Sequence, residues 1–554
     1  MEDNKKEVKG KVFDKIAKAF EDFTKVTVTT IGKHNVDKFV VDKRLIVPAT
    51  VTNIESIIGK KEIEIADFSQ CTDLLNIDTK AFEDDSPEED SFEEDSPEED
   101  SPEEDNTLKE IIFPKNITTI IGRFKVIQSI EKIDLSQCDK LEKIEEDTFS
   151  ICNNLKEVKL PDSITAIEDG AFFGCRSLKE IYIPNSVTSI GKIAFQNCEA
   201  LEKIDLSQCD KLEKIEENTF WGCDALKKVK LPESITAIED NAFIFCYSLK
   251  EINIPNRVTA IGESAFQNCE ALEKIDLSLC DKLEKIEKGI FCRCDALKEV
   301  KLPKSITTIG GRAFFGCRSL KEINIPNKVT SIGESAFWAC DALEKIDLSQ
   351  YDKLKKIEKD TFWSCDALKE VKLPESITAI ENLAFYGCRS LKEINIPNRV
   401  TAIGENAFKD CEALEKIDLS QCDKLKKIKK DTFGACNALK EVKLPDSITA
   451  IEDGAFFGCR SLKEINIPNK VTSIEETAFQ NCEALGEKAL SQYDKFKKNK
   501  ARKKEEERRI REERRRIREE SERRKEKLKK KIIICIVIFW IIVLALMFIY
   551  ESTK

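Results

Sequence analysis

The side chains that usually carry catalysis are scarce in this chain. Of 554 residues, 22 are cysteine but only one is histidine, His34, which lies near the N-terminus. A Ser-His-Asp triad, a Cys-His nucleophile and a His-rich zinc site each need a well-placed imidazole. We also find no GxxxxGK(S/T) loop and no GxGxxG turn between a strand and a helix. The sequence therefore predicts a protein that is not an enzyme and holds no cofactor or metal. Only carboxylate-based or lysine-based catalysis stays open.

The cysteines recur at fixed spacing. Most stand three residues after a phenylalanine in the motif A-F-x-x-C, as at Cys175 and Cys198. A sparser second set includes tyrosine at two positions: Cys138, Cys209, Cys280, Tyr351, Cys422 and Tyr493. Such periodic thiols indicate reduced, buried core residues rather than a disulfide scaffold. Cys292 and Cys294 form a lone C-x-C without the further ligands that zinc needs.

An internal repeat explains this spacing. The segment EKIDLSQCDKLEKIEEDTF recurs with small changes and a constant 71-residue period. Its copies begin at Glu131, Glu202, Glu273, Glu344 and Glu415. A decayed copy, GEKALSQYDK, begins at Gly486. Each block divides into two 23-residue units and one 25-residue unit, and about 18 units are recognisable between positions 40 and 484.

The 23-residue pattern is L-x-x-I-x-I-P-x-x-V-T-x-I-x-x-x-A-F-x-x-C-x-x. Its first part, as at Leu178–Ile183, predicts a strand with one buried face, which Pro184 ends. The A-F-x-x-C part, as at Ala194–Cys198, predicts a short helix or helical turn. One unit cannot bury its own apolar edge, so neighbouring units must stack. We expect an α/β solenoid with parallel strands about 4.8 Å apart.

Leu320–Cys340, LKEINIPNKVTSIGESAFWAC, resembles the leucine-rich repeat of the BspA-like family, which pairs a strand with an I-G-x-x-A-F-x-x-C segment. The resemblance covers about residues 40–484. It implies a leucine-rich repeat solenoid without catalytic residues. Family members are typically surface antigens or adhesins of host-associated microbes, so the resemblance implies protein binding and adhesion. The chain departs from the family pattern in its start without a secretory leader, in an acidic insert and in a charged segment before an apolar C-terminal stretch.

The exposed strand position between the last two apolar residues cycles through lysine, asparagine and aspartate. The candidate binding residues at this position are Lys301, Asn324, Asp347, Lys372, Asn395 and Asp418. One interpretation is a patterned surface for protein ligands. The other is a solvated face that avoids like charges on adjacent strands. Trp221, Trp338 and Trp363 follow the A-F or T-F pair and are interpreted as packing residues.

The N-terminal part holds a predicted cap and an acidic insert. Residues 1–39 are expected to cap the solenoid of residues 40–494. An amphipathic helix would supply the apolar side chains of the cap, at Val12, Ile16, Phe20 and Phe23. Residues 83–105 carry 15 acids and no bases, in S-P-E-E-D repeats. Because dense like charge with proline cannot collapse, we expect residues 83–106 to be a disordered loop.

The C-terminal part predicts a membrane anchor. Residues 532–550 are uncharged and long enough to cross a bilayer as a helix, about 28 Å, with Ile532, Trp540 and Tyr550 among the anchoring residues. Residues 494–531 carry 21 bases and 10 acids, and residues 495–531 are expected to form a solvated helix about 55 Å long. The Lys525–Lys531 cluster is expected to contact anionic lipid. Acids interrupt the bases and no aromatic residue lies among them, which argues against nucleic-acid binding.

The side of the membrane is inferred from charge. The segment before the span is basic, the tail of residues 551–554 is short, and the chain starts without an apolar signal region. These features predict a tail-anchored, single-pass protein with cytosolic repeats, whereas the family resemblance favours the cell surface. The predicted function is a membrane-anchored, non-catalytic surface for protein interaction or adhesion. The alternative is a structural spacer or scaffold on the cytosolic side without a specific ligand.

Overall fold

The computed structural model describes residues 12, 15–19, 22, 28, 30–32, 35–54, 63–78, 107–124, 127 and 129–552. Short strands from successive units stack into two parallel ladders, which confirms the solenoid. The first ladder contains Val40–Val41, Arg44–Ile46, Ile65–Asp67, Glu110–Ile112, Lys132–Asp134, Glu157–Lys159, Glu180–Ile181, Lys203–Asp205, Lys228–Lys230, Glu251–Ile252, Lys274–Asp276, Glu299–Lys301, Lys345–Asp347, Glu370–Lys372, Glu393–Ile394, Lys416–Asp418, Glu441–Lys443 and Glu464–Asn466. Its first two strands form an antiparallel pair.

The second ladder, which the repeat pattern did not predict, is built from the V-T-x-I segment. It contains Thr30–Ile31, Asn53–Ile54, Asn76–Asp78, Thr119–Ile121, Lys143–Ile144, Ala166–Ile167, Ser189–Ile190, Lys214–Ile215, Ala237–Ile238, Ala260–Ile261, Lys285–Ile286, Thr308–Ile309, Ser331–Ile332, Lys356–Ile357, Ala379–Ile380, Ala402–Ile403, Lys427–Ile428, Ala450–Ile451 and Ser473–Ile474. In the described part of the chain, every break in this ladder falls just before a unit that carries a cysteine of the second set, Tyr351 or Cys71, whose thiol contacts the Pro48 carbonyl in the same way. The 71-residue period therefore appears in the backbone pairing as well as in the sequence.

The A-F-x-x-C segment forms tight turns, and between residues 129 and 485 the repeat units contain no helical backbone. From Asp147 to Gly458, two residues of each turn segment take a left-handed conformation, such as Ile193 (φ 51°) and Asn197 (φ 58°), and the last segment has one, Asn481. The N–H groups of Ile193, Phe195 and Asn197 point to the next unit, where they donate to the carbonyls of Glu217, Thr219 and Trp221 at 3.2, 2.9 and 2.7 Å. Because these donors bond the neighbouring unit, they are not used for the i→i−4 bonds of a helix.

Phenylalanine rings form a continuous column inside the turns. The rings of sixteen successive units stack with centroids 5.2 to 5.8 Å apart, from Phe124 to Phe479. Edge contacts with Phe113 (6.3 Å) and Tyr493 (5.5 Å) end the column. The column is the aromatic part of one core that extends through all the described units.

A column of thiols runs beside the rings. The Sγ of Cys198 donates to the carbonyl oxygen of Phe172 at 3.2 Å, and the same contact recurs in fourteen units from Cys175 to Cys482. In the second set, the Sγ of Cys209 donates to the carbonyl of Pro184 at 3.4 Å, and burial raises the pKa of this thiol to about 11. At the equivalent position the Tyr351 hydroxyl donates to the carbonyl of Ile325. Tyrosine can replace cysteine at Tyr351 because its hydroxyl donates an equivalent bond.

A helix from Glu487 to Ser552 follows the last unit. It includes most of GEKALSQYDK, so the decayed copy of the repeat forms helix rather than another strand unit. Ala489 and Tyr493 are buried against the last unit, and the Tyr493 hydroxyl donates to the carbonyl of Glu476. The first turns of the helix therefore cover the apolar end of the solenoid, which would otherwise face water.

The N-terminal end is described only in part. A 3-10 helix spans Val36–Phe39, and residues 15–19 are helical with Ala19 buried. Two of the predicted cap residues, Val12 and Ile16, are helical and half-buried. Phe20, Phe23, His34 and the acidic insert at residues 83–106 lie outside the described residues.

Replacing Phe195 with alanine should destabilise the solenoid. The ring is fully buried between Phe172 and Phe220, at 5.3 and 5.6 Å. A cavity at a buried phenylalanine costs about 3–5 kcal/mol. We expect a clear drop in the denaturant midpoint, measured by circular dichroism. Phe457→Ala is the matched control, since that ring is 37% exposed and should cost much less. Equal midpoints for the two variants would contradict the core role of the column.

Candidate protein-interaction surface

The predicted binding residues lie on the open face of the first ladder. Lys301, Asp347, Lys372 and Asp418 end their strands with exposed side chains. Asn324 and Asn395 are also exposed. Asn395 directly follows the strand Glu393–Ile394, whereas the unit of Asn324 has no assigned strand in the first ladder. The alternate strand residues, such as Ile346 and Val371, are buried. The face is therefore a regular row of polar side chains on a backbone fixed by ladder hydrogen bonds.

Ion pairs join this row across specific strands. Asp347 and Lys372 are register partners, and their Oδ2 and Nζ atoms are 3.3 Å apart. Lys301 pairs instead with Asp276 (3.2 Å) and Asp418 with Lys443 (3.7 Å), two partners outside the predicted set. Each aspartate of a 25-residue unit thus pairs with the lysine of the next unit. The structure brings Asp347 and Lys372 together but does not join Lys301 to Asp347.

Local hydrogen bonds lower the pKa values of these aspartates. Asp347 Oδ1 accepts from the Ser349 hydroxyl (2.6 Å) and N–H (3.0 Å), and these bonds together with Lys372 hold its pKa below the usual range. The Lys230 ammonium beside Asp205, with help from Ser207, lowers the Asp205 pKa to about 2. On the cationic side, Glu370 and then Asp347 raise the pKa of Lys372. The row therefore carries fixed charges at neutral pH.

The turn side carries two further features, the first of which includes the predicted packing residues Trp338 and Trp363. The first is a run of half-buried aromatic side chains one residue beyond the phenylalanine column. Ring centroids are 5.1 Å apart for Phe315 and Trp338, 4.3 Å for Trp338 and Trp363, and 5.1 Å for Trp363 and Tyr386. The tryptophans pack mainly on one another and on their neighbours along the solenoid. The sequence feature that indicates this run is an aromatic residue directly after the column phenylalanine in several successive units.

The second feature is a row of acid-arginine-acid groups just after the cysteine column. Arg318 lies between Asp295 (3.4 Å) and Asp341 (3.8 Å). Arg389 lies between Asp366 (2.9 Å) and Glu412 (3.6 Å) in the same way. The acids come from the two neighbouring units, where C-D-A or C-E-A replaces C-R-S. Alignment of the units would have shown this alternation.

The C-terminal helix contains one stretch long and apolar enough to cross a membrane. Ile532, Trp540 and Tyr550 lie in this stretch with exposed side chains. The charged part before it is stabilised by pairs at i,i+4, such as Arg515–Glu519 at 3.1 Å. No group of three histidine, cysteine or acidic side chains suited to a metal ion is found among the described residues.

The stacked units and their parallel ladders define a leucine-rich repeat solenoid. The chain belongs to the family described as BspA type leucine rich repeat region, which matches residues 103–202, 142–273, 188–310, 272–354 and 355–486. A leucine-rich repeat protein from Bacteroides ovatus is 27% identical, with 68% of this chain and 81% of that chain covered and a TM-score of 0.47. A leucine rich cell surface protein from Faecalibacterium prausnitzii is 26% identical, with 64% and 82% covered and a TM-score of 0.35. The comparison with curated proteins gives no match.

The carboxyl group of Asp205 should titrate near pH 2. Its folded pKa is about 2, against about 3.9 in an unfolded chain. Because the folded pKa is the lower one, this group stabilises the fold fully above about pH 4, and the contribution is lost as the pH falls towards 2. Carbon-detected NMR titration of the full chain would measure the pKa. In Lys230→Gln it should rise, yet stay below the unfolded value because Ser207 still donates. An unchanged pKa in that variant would contradict the ion pair.

Proposed function

We propose that this protein is a non-catalytic, membrane-anchored solenoid that binds a protein ligand. The observation that carries the proposal is the exposed row on the first ladder, which includes Lys301, Asp347, Lys372 and Asp418. Its side chains stand at fixed spacing on a backbone that is already ordered, so little entropy is lost on binding. The repeat family also favours a protein-interaction surface and no catalysis.

A structural spacer is the second candidate, and one observation favours it. The lysines and aspartates of the row already pair within the chain, as in Asp347–Lys372. The strand face also has few of the aromatic anchors that dominate binding energy at interfaces; exposed Tyr182 is one exception. A spacer would keep the same ion pairs only to avoid like charges between units.

The helix supports a single-pass anchor with the repeats in the cytosol. Lys525, Lys527 and Lys529–Lys531 flank the apolar stretch on the repeat side, where positive charge favours the cytoplasmic face and attracts anionic lipid. In this arrangement the ligand is a cytosolic protein. Exposure of the repeats at the cell surface is the alternative, and the ligand would then be extracellular.

Charge reversal on the strand face tests the binding function. The full chain in lipid nanodiscs is used to capture partners, and each captured protein is then titrated in purified form. Lys301→Glu combined with Lys372→Glu should lower the affinity for a strand-face ligand by about tenfold or more. The reason is that two attractions between these lysines and acidic groups of the ligand become repulsions. Lys282→Glu with Lys353→Glu is the matched control, since both are exposed lysines away from the first ladder. Equal affinity for all three proteins would remove the strand face from the binding site, and the absence of any saturable partner would favour the spacer.

Protease protection tests the topology. Protease added to intact cells should leave the repeats uncut, and a tag placed after Lys554 should be recovered on the lumenal side. If positive charge sets the orientation, the fraction of chains with protected repeats should fall when Lys529, Lys530 and Lys531 are replaced by glutamine. Cleavage of the repeats in intact cells, or glycosylation at Asn116, would defeat the cytosolic arrangement and restore the surface alternative.

A further inference from the structure

The arginine row on the turn side has one gap. Four units share A-F-(F/Y)-G-C-R-S, and their arginines are Arg176, Arg318, Arg389 and Arg460. Three of these arginines contact acids of neighbouring units, at distances from 2.9 to 3.8 Å. The fifth unit reads A-F-I-F-C-Y-S at residues 242–248, so Tyr247 occupies the arginine position and Phe245 the glycine position.

The acids that would flank an arginine are still present at this gap. Asp224 and Glu270 occupy the places that Asp295 and Asp341 hold around Arg318, and neither makes an ion pair with any described residue. The adjacent arginines are already engaged, Arg176 with Glu199 at 3.2 Å and Arg318 with Asp295 at 3.4 Å. The gap therefore holds two exposed carboxylates without the cation that the repeat elsewhere supplies.

Aromatic side chains fill the same gap. The ring of Phe245 lies 6.2 Å from Trp221 and 5.9 Å from Tyr247, and Tyr247 is 39% exposed. Phe245 has φ 61°, where the sister units use glycines such as Gly174 and Gly316. Partial burial and the carboxylates of Asp224 and Glu270 raise the pKa of Tyr247, as expected for a hydroxyl near both acids. Aromatic faces beside carboxylates attract lysine and arginine side chains.

We propose that Trp221, Asp224, Phe245, Tyr247 and Glu270, here named the Tyr247 patch, bind a basic side chain of a partner protein. The incoming ammonium or guanidinium lies over Tyr247 between Asp224 and Glu270, and so completes in trans the group that Arg318 completes within the chain. This inference rests on the proposed protein-binding function and names the chemistry of the partner. It adds a binding contact on the turn side to the one proposed for the strand face.

Zero-length cross-linking tests the patch at residue level. The full chain in nanodiscs is mixed with an end-blocked Gly-Ser-Lys-Gly-Lys-Gly-Ser peptide and a carbodiimide, and lysine–carboxylate links are mapped by mass spectrometry. We expect links at Asp224 and Glu270 that a matching arginine peptide displaces and a glutamine peptide does not. Mapping each link separates this patch from the acidic insert, which also attracts basic peptides. Links spread evenly over exposed acids such as Asp341 and Asp366 would overturn the proposal.

Two reciprocal substitutions make the test sharper. Tyr247→Arg restores the sister sequence, so it should fold normally and reduce the links at Asp224 and Glu270 by about tenfold, as expected for losing one charge-assisted contact. Arg318→Tyr should create new links at Asp295 and Asp341. Thermal midpoints equal to that of the unmodified chain show that each variant is folded. Unchanged linking in Tyr247→Arg, or no new links in Arg318→Tyr, would overturn the proposal.

The two proposals fail in different ways. A purified partner that binds the Tyr247→Arg variant as well as the unmodified chain would leave the protein-binding function standing and remove the Tyr247 patch from it. A partner whose affinity is unchanged by the strand-face reversal but falls in Tyr247→Arg would support the patch as the binding site. Self-association of the chain that is lost in Tyr247→Arg would identify a second copy as the source of the basic side chain and overturn the assignment to a different partner protein.

Discussion

The column of phenylalanine rings and cysteine thiols is the interaction on which the array depends. The second ladder is interrupted before each 25-residue unit. The first ladder is continuous from Val40–Val41 to Glu251–Ile252 but breaks before Lys274–Asp276, Lys345–Asp347 and Lys416–Asp418, so in the second half of the array strand pairing alone divides the repeats into blocks. The column crosses these breaks. Between Phe266 and Phe291, where both ladders break, the ring centroids remain 5.8 Å apart, the Phe266 N–H donates to the Ile290 carbonyl at 3.0 Å, and Cys294 Sγ donates to the Phe266 carbonyl at 3.2 Å. The turns thus supply the continuity that the strands lack.

Stacking also dictates much of the surface charge. The 25-residue unit carries the opposite signs to the unit that follows it, and pairs such as Glu202–Lys227 (2.9 Å) join the two. Both side chains are at least half exposed, so each pair stabilises the fold only slightly. Attraction between opposite charges is sufficient reason for the alternation at this junction, whereas glutamates such as Glu370 and Glu393 still face each other between the next two strands. A regular pattern is consequently weaker evidence for a ligand than a place where the pattern is broken, as at Tyr247.

Periodicity predicted the solenoid because each apolar position of the unit is buried in nearly every copy. The turn geometry was harder to predict, since apolar residues at A-F-x-x-C are also typical of a helix face. Two left-handed positions per unit decide the matter, and many carry asparagine, aspartate, serine or glycine. Bulky residues at the same positions, Ile193 and Leu383 among them, hide this signal. The candidate residues of the strand face are exposed, but their ion pairs depend on how each strand registers with the strand of the next unit. Spacing along one strand does not reveal that register.

The C-terminal helix links the core column to the rest of the chain. Tyr493 adds an edge contact to the last ring of the column, and Lys500 and Lys504 pair with Glu475 and Glu476 of the last unit. The same helix continues without a break to Ser552. Contacts over its first five turns therefore fix the direction in which it leaves the solenoid. In the proposed membrane-anchored form, this junction determines how the strand face and the turn side are oriented to the bilayer, because the charged part beyond it has only its own i,i+4 pairs for support.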